Sequence, residues 1–237
     1  ASDGTTATLT FNISAVNDEP TLDVSSFSFE EDTAGSFNVS LTDVDGDSLS
    51  ISVEALPTGG SISLADGTLL VVGDSLSASD LEGLIFTPNA NVNSTQDTIG
   101  SFILSVTDAG GTFSNSITLV VNAVNDAPTL GTLEAVTVYE TVAADTTLLT
   151  LTGGDVDGAA DTLTYSLSGD DADLFNIDSS GNVSFKVSPN YQNPSDADLN
   201  NTYSLNIVVT DSGGLSATSP ILINILDVKP GGQAIDG

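Results

Sequence analysis

Cysteine, histidine, methionine, tryptophan and arginine are all missing from these 237 residues, and the only basic side chains are Lys186 and Lys229. Without cysteine there are no disulfides, so whatever staples the fold is not sulfur. Without histidine or cysteine there is no imidazole base, no thiolate nucleophile and no ordinary zinc site. Two cations cannot displace the counterions of a nucleic-acid backbone, nor hold an anionic membrane surface. Long apolar runs are missing too. The longest are strand-sized, well short of the roughly 20 residues of a membrane-spanning helix. No secretory signal or lipidation motif is visible.

What is present is acid. The chain carries 33 Asp and Glu, for a formal net charge of -31, yet only 15% of residues are charged and 39% are apolar. A mean hydropathy of +0.18 is too apolar for a solvated, disordered tail. The imbalance comes from missing cations rather than from acidic runs. The acids cluster at turns between alternating apolar segments, where about thirty uncompensated carboxylates should repel one another. The simplest relief is a divalent cation.

The chain repeats itself. AVNDEPTL at 15–22 returns as AVNDAPTL at 123–130, a separation of 108 positions. DVDG at 43–46 returns at 155–158, and TDAGG at 107–111 is echoed by TDSGG at 210–214. A degenerate copy, ILINILDVKP, closes the series, with Asp227 at the linker Asn position and Pro230 at that of the linker Pro. The order linker, DVDG, TDxGG therefore defines two modules, 17–124 and 125–228. Residues 1–16, with LTFNIS matching ITLVVN, are expected to be the terminal strand of a preceding module in a longer polypeptide. Residues 229–237 form a Gly-rich tail.

Within each module the apolar period is two. Strands are expected at 21–29, 36–41, 48–53, 61–64, 69–72, 101–107 and 114–123 in the first module. In the second they fall at 130–138, 147–152, 162–167, 174–177, 182–187, 202–210 and 217–226. Asp66-Gly67 and the SSGN of 179–182 are hairpin turns. Ser79-Asp80-Leu81-Glu82 suggests a capping box on a single helical turn. About seven short strands with frequent turns indicate a β-sandwich of about 100 residues. Ile103, Leu104, Val106, Leu205, Ile207 and Val209 are core candidates. The four tyrosines, 139, 165, 191 and 203, are expected in the core or at sandwich corners.

The recurrent acids have the chemistry of a metal site. Asp43 and Asp45, like Asp155 and Asp157, are two apart in extended backbone, so both side chains face the same way. The linkers add Asn17 and Asp18, or Asn125 and Asp126, ahead of a proline that keeps the backbone extended. TDxGG adds Asp108 and Asp211 at a strand end. All are oxygen donors, which select Ca²⁺ over the stricter Mg²⁺, and Ca²⁺ takes 6–8 of them. No one motif supplies that many, but linker, loop and strand end together would. DVDG alone is an ordinary solvated turn; its recurrence with the Asn-Asp-Pro linker and the missing cations favour the metal. Asp43, Asp45, Asp47 and Glu54 also match positions of an EF-hand loop. There the turn glycine is misplaced, Ser48 stands at the sixth position, and SLSISV is a strand.

DVDG, LTYSLSGDDADLFNID, SGNVSFK, TYSLNIVVTDSGG and ILDV together resemble a cadherin repeat, and more closely the cadherin-like repeats of large bacterial surface adhesins, including the RTX type. The resemblance covers nearly all of 17–228 and is stronger for 125–228. It implies an all-β chain of tandem seven-stranded Greek-key β-sandwiches, cadherin/immunoglobulin-like, joined by short Ca²⁺-binding linkers. By matching position it implies that the 17–124/125–228 junction uses Glu31 (or Glu30), Asn125, Asp126, Asp155, Asp157 and Asp211. A preceding junction would use Asn17, Asp18, Asp43, Asp45 and Asp108. Glu140 and Asp227 would serve a following one. The family's mid-module acidic pair has become amides at Asn190-Tyr191-Gln192, has no evident counterpart in the first module, and Lys229 enters the last linker. These departures imply fewer ions per junction than in animal cadherins, and a weak or absent third junction.

The expected function is structural: Ca²⁺-stiffened extender modules of a long bacterial adhesin, secreted to the cell surface, with neighbouring modules of the same chain as partners. The alternative is a module that binds a peptide or glycan. Absent tryptophan counts against a lectin, whereas a peptide added along a strand edge needs no side-chain signature. An enzyme is the weakest reading, because the paired carboxylates recur at module seams instead of converging on one cleft.

Overall fold

A computed structural model describes residues 4, 6, 8–14, 16–23, 25–158 and 161–228. The chain forms two units, with the boundary between Ala123 and Val124. Lys229 and the C-terminal tail lie outside the described residues.

In the first unit the strands are β1 (Thr21–Leu22), β2 (Ser26–Glu30), β3 (Gly35–Phe37), β4 (Leu41–Thr42), β5 (Ser50–Ala55), β6 (Gly60–Ser63), β7 (Ser75–Leu76), β8 (Leu84–Pro88), β9 (Ser101–Thr107) and β10 (Thr112–Asn122). One sheet has the order β2-β10-β9-β5-β7, the facing one β3-β8-β6, and β1 pairs with β4. Period-two alternation decides which side chains go inside. Phe102, Leu104 and Val106 of β9 and Ile117, Leu119 and Val121 of β10 are buried against Phe37, Ile62, Leu84 and Phe86 of the facing sheet. Phe102 rather than Ile103 therefore holds the core position, being in phase with Leu104 and Val106.

The second unit repeats the plan with β11 (Thr129–Leu130), β12 (Val136–Tyr139), β13 (Thr147–Thr150), β14 (Gly153–Gly154), β15 (Thr164–Ser168), β16 (Phe175–Ile177), β17 (Asn182–Phe185), β18 (Thr202–Thr210) and β19 (Ser216–Leu226). Its sheets run β12-β19-β18-β15 and β13-β17-β16, with β11 paired to β14. In both units the long last strand lies between an antiparallel penultimate strand and a parallel early strand, β2 or β12. Phe175, Phe185 and Tyr203 form an aromatic cluster in the second core, with the two Phe ring centroids 4.4 Å apart.

Several expectations change. The apolar stretch 69–72 is not a strand: it makes one isolated bridge, Leu69 to Ser63, because the Asp74 carboxylate takes the Val71 N–H (2.8 Å) that a ladder would need. β8 was not expected from the sequence, yet Leu84, Phe86 and Pro88 are all buried in alternation. The capping box uses Ser77 and Asp80 on a 3-10 turn at Ala78–Leu81, two residues earlier than the Ser79 start suggested. Tyr203 is buried and Tyr165 half-buried, but Tyr139 and Tyr191 are exposed. Residues 8–14 carry no strand, and Leu9, Phe11 and Ile13 are exposed. Shifted by the repeat distance, these three align with Ile117, Leu119 and Val121, all buried.

Candidate metal centre

The second unit assembles the acids most fully. DVDG follows the short β14, and its turn is closed by the Asp157 N–H donating to Asp155 Oδ1 (3.0 Å). The linker folds back onto it, with the Asp126 N–H donating to Asp157 Oδ2 (2.8 Å). One residue earlier, Asn125 Nδ2 donates to Asp211 Oδ2 (3.0 Å) and to the Asp126 carbonyl (3.2 Å). Asp211 ends β18, is only 5% exposed, and is held by the Leu215 N–H on its other oxygen (2.8 Å). Linker, loop and strand end thus meet in one place, as the motif spacing suggested.

The first unit builds the same frame. Asp18 donates its N–H to Asp45 Oδ2 (2.6 Å), and Asn17 Nδ2 donates to Asp108 Oδ2 (3.0 Å). Asp108 Oδ1 receives the N–H groups of Gly110 (2.7 Å) and Gly111 (2.9 Å). The Asn17 amide and these two N–H groups hold the Asp108 carboxyl below its ordinary range. Asp43 Oδ1 receives the Asp47 N–H (3.3 Å).

The frame also explains the glycines of TDxGG. A Cβ on Gly213 would lie 1.9 Å from Asn125 Oδ1, and one on Gly110 would lie 2.3 Å from Asn17 Nδ2. Only a residue without a side chain lets the linker amide lie flat on the strand-end turn. The sequence showed the motif but not this reason, because the two surfaces that touch are 86 or more positions apart.

Asp161 was missed. It stands four residues beyond Asp157, and one carboxylate oxygen from each of Asp155, Asp157 and Asp161 lies within 4.8 Å of the others. Its Oδ1 accepts from the Ser212 N–H (2.8 Å) and the Ser212 hydroxyl, which hold it below the ordinary carboxylate range. Ser212 lies inside TDSGG, so the signal lay in a variable position of a recognised motif. The other oxygens, Asp155 Oδ2 and Asp161 Oδ2, are buried with no hydrogen-bond partner among the described residues; Asp43 Oδ2 is in the same state. Buried carboxylate oxygens without donors are costly unless a cation compensates them. Lys186, the only cation among the described residues, instead donates to the Asp173 carbonyl (2.8 Å). The donor set is oxygen alone, with lone pairs left over, which fits a hard divalent ion such as Ca²⁺.

The remaining acids occupy other places. Glu31, just past β2, is 2% exposed and faces Asn93 Nδ2 (3.3 and 3.5 Å); Glu30 is exposed and accepts from Asn122 Nδ2 (3.1 Å). Asn93 is the amide counterpart that the first module seemed to lack. Glu140, just past β12, accepts the Tyr191 and Val228 N–H groups (3.0 and 3.1 Å), which hold it below the ordinary carboxyl range. Asp227 accepts from Gln192 Nε2 (2.6 Å).

Two sheets closed over one core, with a long last strand pairing parallel to an early one (β2 or β12), define cadherin/immunoglobulin-type sandwiches. Residues 17–122 match a family model described as a bacterial Ig domain. No curated protein matches the chain. Among solved structures the chain is similar to mouse cadherin-23 EC22–24, with 23% identity and a TM-score of 0.53 over 88% of this chain and 65% of that one. It is also similar to human protocadherin-24 EC1–2, with 20% identity and a TM-score of 0.59 over 90% and 99% of the two chains. A second crystal form of that fragment gives 21% identity and a TM-score of 0.63 over 89% and 100%. At these identities the likeness establishes the fold. Among the described residues no helix is long and apolar enough to cross a membrane.

Proposed function

We propose that these modules are Ca²⁺-loaded spacers of a bacterial surface adhesin, working outside the cell, where the ion is abundant. The observation that carries this reading is the gathering of Asp155, Asp157 and Asp161 within 4.8 Å, with two buried oxygens that no donor among the described residues serves. Calcium would supply the missing positive charge. The chain's own part is to bring the carboxylates together and to tie the linker to them through Asn125 and Asp126. With the ion absent, the acids repel and the linker is held by hydrogen bonds alone. With it present, linker and module end are drawn into one charged network and the linker stiffens. Asp43, Asp45 and Asp108 belong to the same reading through the resemblance. So does the role of residues 8–14 as the last strand of another sandwich, which the exposed Leu9, Phe11 and Ile13 support.

The test is thermal unfolding of the full chain in chelator and in millimolar Ca²⁺, for wild type and for Asp155→Asn with Asp157→Asn. All four tyrosines lie in the second unit and there is no tryptophan, so tyrosine fluorescence reports that unit. Wild type is expected to melt higher in Ca²⁺ and the double variant to melt alike in both. A wild type indifferent to Ca²⁺ refutes the reading.

A second reading, capture of an extended apolar peptide, draws on Leu69, Val71 and Val72, three large side chains exposed in one loop of the first unit. Peptide-array binding lost on Val71→Asp with Ca²⁺ response intact would favour it.

A further inference from the structure

The carboxylates at the opposite end of each last strand are arranged differently. β12 and β19 run parallel and finish together, with Tyr139 level with Leu226, so the next residues, Glu140 and Asp227, emerge side by side. Two neighbouring carboxylates repel, and a hydrogen-bond donor placed between them offsets that repulsion. What stands there is Gln192, whose Nε2 donates to Asp227 Oδ1 (2.6 Å) and to Glu140 Oε1 (3.4 Å). An NH₂ group has two protons, one for each acid. The Val228 and Tyr191 N–H groups serve Glu140 further (3.1 and 3.0 Å).

The first unit repeats the device. β2 and β10 also run parallel, and Glu31 follows directly, its N–H bonded to the Asn122 carbonyl (3.0 Å). Asn93, in the loop between β8 and β9, presents Nδ2 to both Glu31 oxygens. That orientation is enforced. Asn93 Oδ1 is occupied by the Thr95 N–H (3.1 Å), the Thr95 hydroxyl (2.5 Å) and the Gln96 N–H (3.2 Å), leaving the amide nitrogen to face the acid. Asn93 and Glu31 are both 2% exposed.

We infer that amide side chains take the place of a cation where the parallel pairs β2/β10 and β12/β19 run out: Asn93 against Glu31, and Gln192 between Glu140 and Asp227. These ends hold their acids without metal, and the modules are metal-dependent at one end only. The inference rests on the calcium reading solely for that contrast; the amide bridge itself stands on the hydrogen bonds.

The experiment melts the 237-residue chain as wild type, Gln192→Ala and Gln192→Glu, followed by tyrosine fluorescence, each in chelator and in millimolar Ca²⁺. Gln192 is exposed, so neither substitution disturbs the core. Gln192→Ala is expected to melt about 4–8 °C below wild type in chelator, having lost its bonds to charged acceptors. Gln192→Glu puts three carboxylates together. It should fall at least as far in chelator and be raised by Ca²⁺ more than wild type is. The inference is overturned if Gln192→Ala melts with wild type in chelator, or if Ca²⁺ raises Gln192→Glu no more than wild type. The calcium reading is judged separately. A wild type that ignores Ca²⁺ while Gln192→Glu responds sinks that reading and leaves the amide bridge standing.

Discussion

Gly213→Ala tests whether the linker is clasped to its module by Asn125. The new Cβ would sit 1.9 Å from Asn125 Oδ1, 2.3 Å from its Cγ and 2.7 Å from its Nδ2. All three are far inside van der Waals contact, so the amide must leave Asp211. A hydrogen bond to a charged group contributes about 1.5–3 kcal/mol. Replacing glycine by alanine at a tolerated conformation returns about 0.4–1 kcal/mol through the unfolded chain. The net loss is about 1–2 kcal/mol, or a fall of about 4–8 °C in the melting of a unit this size. Tyrosine fluorescence in chelator reads it without interference from bound ion. Asn125→Ala should lose a similar amount, and the double variant should be no worse than Asn125→Ala, because both changes break one contact. Gly214→Ala is the contrast: its φ of +95° makes alanine strained, but no atom lies within 4 Å of the added carbon. Its loss should add fully to that of Asn125→Ala. If Gly213→Ala is equally damaging with Asn125 already removed, the clasp is not what the glycine is for.

Asp161→Asn keeps an acceptor for Ser212 but removes a charge from the cluster; Ca²⁺ affinity of the second unit should fall about tenfold or more, measured by calorimetry. Ile223→Ala empties a fully buried position on β19 and should destabilise the second unit by about 2–5 kcal/mol in urea unfolding. The carboxyls of Asp108, Glu140 and Asp161 are all held below their ordinary range. Depressed acids contribute stability that is complete above the unfolded value of about 4 and lost as pH falls through the folded one. The contribution of these three carboxylates to melting without Ca²⁺, read by tyrosine fluorescence for the second unit, should therefore be intact from neutrality down to about pH 5 and lost below about pH 4.

The alternation of β9, β10, β18 and β19 was legible because long strands with one buried face write their period plainly, and the repeat fixed the module size. Short strands were not. No strand was expected over LIFTP, while LLVV looked like a strand until a single Asp74 side chain took its backbone donor. The linker Asn-Asp, the DVDG pair and the strand-end Asp were legible as motifs, and the structure brings them together within each unit. Asp161 and Asn93 were not, since each gains its meaning from a partner far away in sequence: Ser212 for the one, Glu31 for the other. The amide at Gln192 was visible as a departure from the resembling family; that it bridges Glu140 and Asp227 is a matter of parallel strands ending level, which no local pattern records.

The central claim is that acids gathered at the base of each module are there to hold Ca²⁺, and titrating the full chain with the ion in a calorimeter tests it most directly. Saturable binding is expected at about 10⁻⁴–10⁻³ M, weakened at the second unit by Asp155→Asn with Asp157→Asn. A titration showing only the heat of dilution would contradict it.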